Sequence, residues 1–97
     1  MALKIVFSDV AAEMLVTIGE LIENKWSKKE AYKFLEKVHK TFGLIATQPY
    51  MFKASSFDEN VRIGYLSKQT SFYYEIHENE IIILFFWDNR QDPIFSG

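Results

Sequence analysis

Cysteine is absent from the chain, which excludes disulfides, thiolate metal sites and a cysteine nucleophile, and fits a reducing compartment. Histidine is scarce: His39 and His77 are the two present, they stand far apart, and no carboxylate cluster has ligand spacing. No metal is expected. The four glycines and two prolines form no phosphate-cradling loop and no linker, and no nucleophile motif is present, so no cofactor is expected either. The apolar run at Met1-Ala2-Leu3-Lys4-Ile5-Val6-Phe7 is too short for a signal peptide, and nothing approaches the roughly 18 apolar residues of a membrane span. The expectation is a cytoplasmic protein without membrane association.

Strong net charge is missing as well. With 11 Lys and Arg against 13 Asp and Glu the formal charge is −2, so the whole molecule offers no cationic field of the kind that drives non-specific nucleic-acid binding. The charges are unevenly spread, however. Between Lys25 and Lys40 six lysines face Glu30 and Glu36, a local +4, which leaves −6 for the remainder.

What the chain has in quantity is apolar surface. Its 97 residues, 48% hydrophobic and 16% aromatic, suffice for one core, and a single domain over residues 1–97 is expected. Leu3 to Phe7 reads as a strand. Ser8-Asp9 then offers a helix N-cap with a carboxylate at the positive end of the dipole. Ala11, Met14, Leu15, Ile18, Leu21 and Ile22 recur at the three-and-four spacing of one buried stripe. A second helix begins at Ser27-Lys28-Lys29-Glu30, an S-x-x-E capping box with Trp26 in the staple position. Its stripe is Ala31, Phe34, Leu35, Val38, Phe42 and Ile45, and Pro49 marks its end. The short link makes the two helices an antiparallel hairpin.

Beyond Pro49 the period changes to two. Val61, Ile63 and Tyr65 lie on one side of a strand, Arg62 and Gly64 on the other. A second strand spans about Ser71 to His77, Glu78-Asn79 turns the chain, and Glu80 to Asp88 forms the last strand before a polar exit at Asp88-Asn89-Arg90-Gln91-Asp92-Pro93. The predicted class is α+β: an N-terminal strand, an antiparallel helical hairpin, and a three- to four-stranded antiparallel meander, the fourth strand falling near Met51 to Ser55.

A helical hairpin covers one face of a small sheet. Phe72, Tyr74 and Ile76 suit the covered side, which leaves Ser71, Tyr73, Glu75, His77 and, by the same logic, Arg62 on the other. Arg62 and Glu75 could then pair across strands. The last strand does not alternate: Ile81, Ile83, Phe85 and Trp87 point one way and Ile82, Leu84 and Phe86 the other, the pattern of a strand buried on both sides. Each such side chain gains roughly 1.5–3 kcal/mol on leaving water, so the second set is to be covered either by a partner chain or by the protein's own loops.

The pattern resembles the RelE/ParE superfamily of toxins, including the plasmid-stabilisation proteins. The likeness runs from about Ile5 to Pro93. It rests on a strand ending in Phe7-Ser8, on Ala11, Leu15, Ile18 and Ile22, and on Ile45 four residues before Pro49. Val61-Arg62, Tyr73-Tyr74 and a closing hydrophobic strand followed by Asn89-Arg90-Gln91-Asp92-Pro93 complete it. The resemblance implies the toxin of a type II toxin-antitoxin pair, neutralised by a cognate antitoxin that wraps over it, reaching operator DNA only through that antitoxin, and with room for a homodimer. Members either cleave messenger RNA on the ribosome, as RelE does, or poison DNA gyrase by binding, as ParE does.

The RNase members carry an arginine in the middle strand at the position of Ser71 here. Serine cannot supply a permanent bidentate charge, so a ParE-like binding toxin is expected ahead of a RelE-like endoribonuclease or of a non-toxic remnant that only binds its antitoxin. For a rearranged RNase site the candidates are Arg62, Glu75, His77 and Arg90, with Glu75 or His77 as base and an arginine as phosphate clamp. Against this stands a solvated strand face with ordinary ion pairs. For binding the antitoxin or target the candidates are Ile82, Leu84, Phe86, Tyr73, Arg62 and Arg90. Lys29, Lys33, Lys37 and Lys40 share a helix face that either contacts nucleic acid or an acidic partner, or is simply solvated. Asp88 and Asp92 flank Arg90 closely enough to clasp it.

Overall fold

A computed structural model describes residues 2–90. Strand β1 (Lys4–Phe7) leads into helix α1 (Asp9–Lys25) and helix α2 (Lys28–Thr47), which are followed among the described residues by β2 (Lys53–Ala54), β3 (Val61–Tyr65), β4 (Thr70–Ile76) and β5 (Glu80–Asp88). The five strands form one sheet in the order β1-β5-β4-β3-β2. The last four make the antiparallel meander, and β1 adds in parallel beside β5, with Ile5 opposite Ile81 and Phe7 opposite Ile83.

Local chemistry sets the boundaries. Ser8 caps α1 by accepting from the Ala11 amide at 3.0 Å, and its own hydroxyl donates to the Leu84 carbonyl at 2.7 Å. One side chain thus starts a helix and ties it to β5. Ser27 accepts from the Glu30 amide at 3.1 Å, as the capping box predicts. The staple does not form. Trp26 is 69% exposed and lies under the Lys25 ammonium, 5.8 Å from its ring centre, because it serves as the C-cap of α1.

The helices bury one face of the sheet. Ala11, Val38, Phe42, Ile45, Leu66, Phe72, Tyr74, Ile81, Ile83 and Phe86 form its core, with Met14, Leu15, Ile18 and Phe34 packed against it. Phe42 sits at the centre, edge-on to Phe72 at 5.0 Å and against Phe7 at 5.6 Å, offset geometries that favour aromatic pairs. Two stripe residues lie at the margin instead. Leu21 is 61% and Leu35 45% exposed, since each sits at the edge of an apolar arc wider than the sheet beneath it.

Two strand assignments change. Gly64 stands opposite Phe72, and a Cβ there would run into the Phe72 ring, so this side of β3 faces the helices. Arg62, two residues away, therefore shares the covered face with its partner Tyr74 and not the outer face with Glu75, which stands opposite Val61. The expected Arg62–Glu75 pair does not exist. In β5 the register shifts: Tyr74 pairs with Ile83 but Tyr73 with Phe85, leaving Leu84 as an extra residue. This bulge reverses the alternation. Ile81, Ile83 and Phe86 point into the core, and the outward set is Ile82, Phe85 and Trp87, not Ile82, Leu84 and Phe86.

Candidate functional site

The face of the sheet turned away from the helices is arranged in rows by the strand register. Val61, Glu75 and Ile82 stand side by side, then Ile63, Tyr73 and Phe85, then Tyr65, Ser71 and Trp87. The centre is apolar and stacked, with the Tyr73 and Phe85 rings 4.5 Å apart. This face is not bare: Tyr73 is 3% and Ser71 2% exposed, while Ile63, Ile82, Phe85 and Trp87 are half-buried. Burial, with the neighbouring Tyr65 phenol adding to it, holds the Tyr73 phenol above its usual pKa, so Tyr73 is a neutral group here. The Trp87 indole nitrogen is buried with no acceptor.

Ser71 closes one end of the strip. Its hydroxyl donates to Asn89 Oδ1 at 2.6 Å, and Asn89 in turn donates from Nδ2 to the Lys68 carbonyl at 3.2 Å and from its amide to the Gln69 carbonyl at 2.7 Å. The serine is thereby the anchor of the exit from β5 onto the β3–β4 turn. At the other end Glu75 Oε1 meets His77 Nε2 at 2.8 Å, a partly exposed pair within one strand and the turn after it.

The arginines are committed elsewhere. Arg62 donates from Nη1 to the Phe52 carbonyl at 3.1 Å and lies 4.9 Å from the centre of the Tyr50 ring, while its Nε is buried without an acceptor. Beside it the Tyr74 hydroxyl donates to the Pro49 carbonyl at 2.7 Å. Burial pushes the Tyr74 phenol up to about 12, against the opposing pull of the Arg62 charge and the Phe52 backbone. Together they pin the segment that leaves α2. Arg90 clasps Asp88: Nη2 reaches Oδ2 at 2.6 Å and Nε reaches Oδ1 at 3.0 Å, and the Arg90 amide adds a third donor at 2.9 Å. These bonds hold the Asp88 carboxyl down to about 2 and raise the guanidinium above its ordinary value. The clasp predicted from sequence exists in its Asp88 half; Gln91, Asp92 and Pro93 lie outside the described residues.

The structure therefore brings together Glu75 and His77, and Tyr73 with Ile82 on one face, but separates Arg62 and Arg90 from them. Phe86, expected at the surface, is fully buried against Phe42. Leu84 is half-buried at the bulge. Phe85, Trp87 and Asn89 were missed. An uninterrupted apolar strand gives no parity signal, and Asn89, expected only as part of the polar exit, is a residue type fond of side-chain-to-backbone bonds whose bond to Ser71 no local pattern announces. Lys29, Lys33, Lys37 and Lys40 are exposed on α2, with Lys33 3.6 Å from Glu30. Among the described residues no group of three or more His, Asp or Glu side chains could hold a metal, and no helix is long and apolar enough to cross a membrane.

A helical hairpin laid on one face of such a sheet is the architecture of the small RelE/ParE-type toxins. The fold is similar to that of the chromosomal ParDE toxin-antitoxin system from P. aeruginosa, with a TM-score of 0.73 at 17% identity over 90% of this chain and 96% of that one. It is similar also to the E. coli DinJ-YafQ toxin-antitoxin complex, at 0.64 and 8% identity over 93% and 96% of the two chains. The YoeB dimer from Staphylococcus aureus matches at 0.62 and 15% identity, over 90% and 97%. At such identities these likenesses concern the fold. No curated protein matches the chain at a significant level. The profile of the family described as "ParE toxin of type II toxin-antitoxin system, parDE" matches residues 5–93, and the chain belongs to that family.

Proposed function

We propose that this protein arrests growth by binding a protein target, DNA gyrase, in the cytoplasm, that it cuts no RNA, and that a cognate antitoxin neutralises it. The observation that carries this is the state of Ser71. At the position where the resemblance to RNA-cleaving toxins implies an arginine, this chain has a buried hydroxyl that donates to Asn89 at 2.6 Å. Cleavage of a ribose phosphate requires a base, a fixed cation on the phosphate and an acid within reach of one another. Here Arg62 is on the opposite face of the sheet from Glu75, and Arg90 is paired with Asp88 past the end of β5 remote from Ile82, the residue opposite Glu75. The apolar strip of Ile82, Phe85 and Trp87 beside Tyr65 is suited to protein contact, where aromatic side chains contribute most.

One feature favours the RNase reading: the Glu75–His77 pair at 2.8 Å is an arrangement that can move a proton. Induction in a bacterial host lacking the antitoxin separates the readings. Growth arrest with the DNA-damage response, and gyrase-dependent DNA breaks with purified protein, are the expected result. Transcripts cut at ribosomal A sites, abolished by His77→Ala, would replace this reading by the RNase one. No growth effect would mark a chain that retains only antitoxin binding.

A further inference from the structure

The helix layer has a second side. α1 carries Asp9, Glu13, Glu20 and Glu23 against Lys25, and α2 carries five lysines against Glu30 and Glu36, so one helix is net −3 and its neighbour +3. Both helices rest on the same face of the sheet, so their solvent sides point the same way. Those sides are not purely polar. Val10, Val16 and Leu21 on α1 and Tyr32, Leu35 and Leu44 on α2 are all exposed. Each helix also has a shallow hollow. That on α2, about 710 Å³, is lined by Tyr32, Leu35 and Leu44 with Lys37 and Lys40. That on α1, about 490 Å³, is lined by Val16 and Glu13 with Ala12 and Thr17.

We propose that this surface is an interface between two copies of the chain, in which α1 of each packs on α2 of the other around a two-fold axis. A two-fold interface must be self-complementary, since the same patch meets itself. A hairpin with one acidic and one basic helix meets that condition, because the rotation brings glutamates onto lysines twice. A single-sign face would meet its like and be repelled, at a cost large enough to select against the pairing. The apolar side chains between the charges supply the area removed from water. This surface lies on the far side of the helices from the strip assigned to the target, so the inference is independent of that assignment.

Sedimentation of the purified protein across concentration, at low and high salt, provides the test. The wild type is expected to self-associate, more weakly as salt rises. Lys37→Glu/Lys40→Glu alone and Glu13→Lys/Glu20→Lys alone are each expected to weaken association about tenfold or more. Mixing the two variants, or combining all four changes in one chain, is expected to restore it. The restored pair shows that the altered chains are folded. A wild type that stays monomeric at all concentrations overturns the proposal. So does self-association indifferent to both charge reversals, or reversals that weaken it without recovery on mixing.

Discussion

The two faces of the sheet are built from the same strands, yet they differ in kind. Under the helices the packing is closed: Phe42, Phe72, Phe86 and Tyr74 interlock and the Tyr74 hydroxyl is spent on a carbonyl, while Arg62 on the same face keeps a buried Nε without an acceptor. On the outer face apolar side chains alternate with Ser71 and Glu75 in the same rows, and a buried indole donor has no acceptor. The first arrangement maximises burial and holds the fold. The second leaves Ile63, Ile82, Phe85 and Trp87 only half-covered, and that remaining apolar exposure, not the one unsatisfied donor each face carries, is what sets it apart.

The sharpest test of this contrast is the neighbouring pair Phe86 and Phe85. Phe86→Ala is expected to cost about 3–5 kcal/mol in denaturant unfolding, whereas Phe85→Ala should cost about 1–2 kcal/mol, for loss of a half-buried ring stacked on Tyr73. Equal costs would erase the distinction and with it the bulge that creates it. Gly64→Ala comes next. Its Cβ would overlap the Phe72 ring, with an expected loss of about 1–3 kcal/mol, and an unchanged melting temperature would put Gly64 on the outer face.

Tyr74→Phe strands the Pro49 carbonyl, for an expected loss of about 1–2 kcal/mol. It should also remove an alkaline limb. The folded phenol titrates near 12 against 10 for the free group, so the unfolded chain releases its proton first. Stability from this group is complete below pH 10 and fades between 10 and 12. Stability curves in which wild type and Tyr74→Phe run parallel over that range would contradict the burial of this hydroxyl.

The smallest effect belongs to Asp88. Its folded carboxyl lies near 2, below the free value of 3.8. The clasp thus contributes above the free value and is lost as pH falls through the folded one. Arg90→Ala should move Asp88 back toward 3.8 in a proton-carbon titration, with growth arrest intact if the clasp only closes the chain.

Much of this was legible from residue pattern alone. Ser27 and Glu30 announced α2, the helical stripes named Ala11, Val38, Phe42 and Ile45, and the turn at Glu78-Asn79 separated β4 from β5. Face assignment failed where the pattern carried no parity. In Ile81 to Trp87 every residue is apolar, so the extra residue at Leu84 leaves no trace in hydropathy. For Arg62 the alternation was correct, but polarity misled: a long guanidinium can share a covered face by running its stem along it and lodging its head at the edge, here beside Tyr50. The outer site was legible only in part, because Asn89 and Ser71 meet through a register that no local spacing records.

The position of β5 has a consequence for synthesis. The strand made last stands between the one made first and the rest of the meander, so neither β1 nor the Ser8 tether has a partner until residues 80–88 have emerged. Before then the helical hairpin carries an uncovered greasy stripe, and the pairing that completes the sheet spans nearly the whole chain. A product truncated before residue 80 therefore lacks both the strand that pairs with β1 and the carbonyl that holds Ser8.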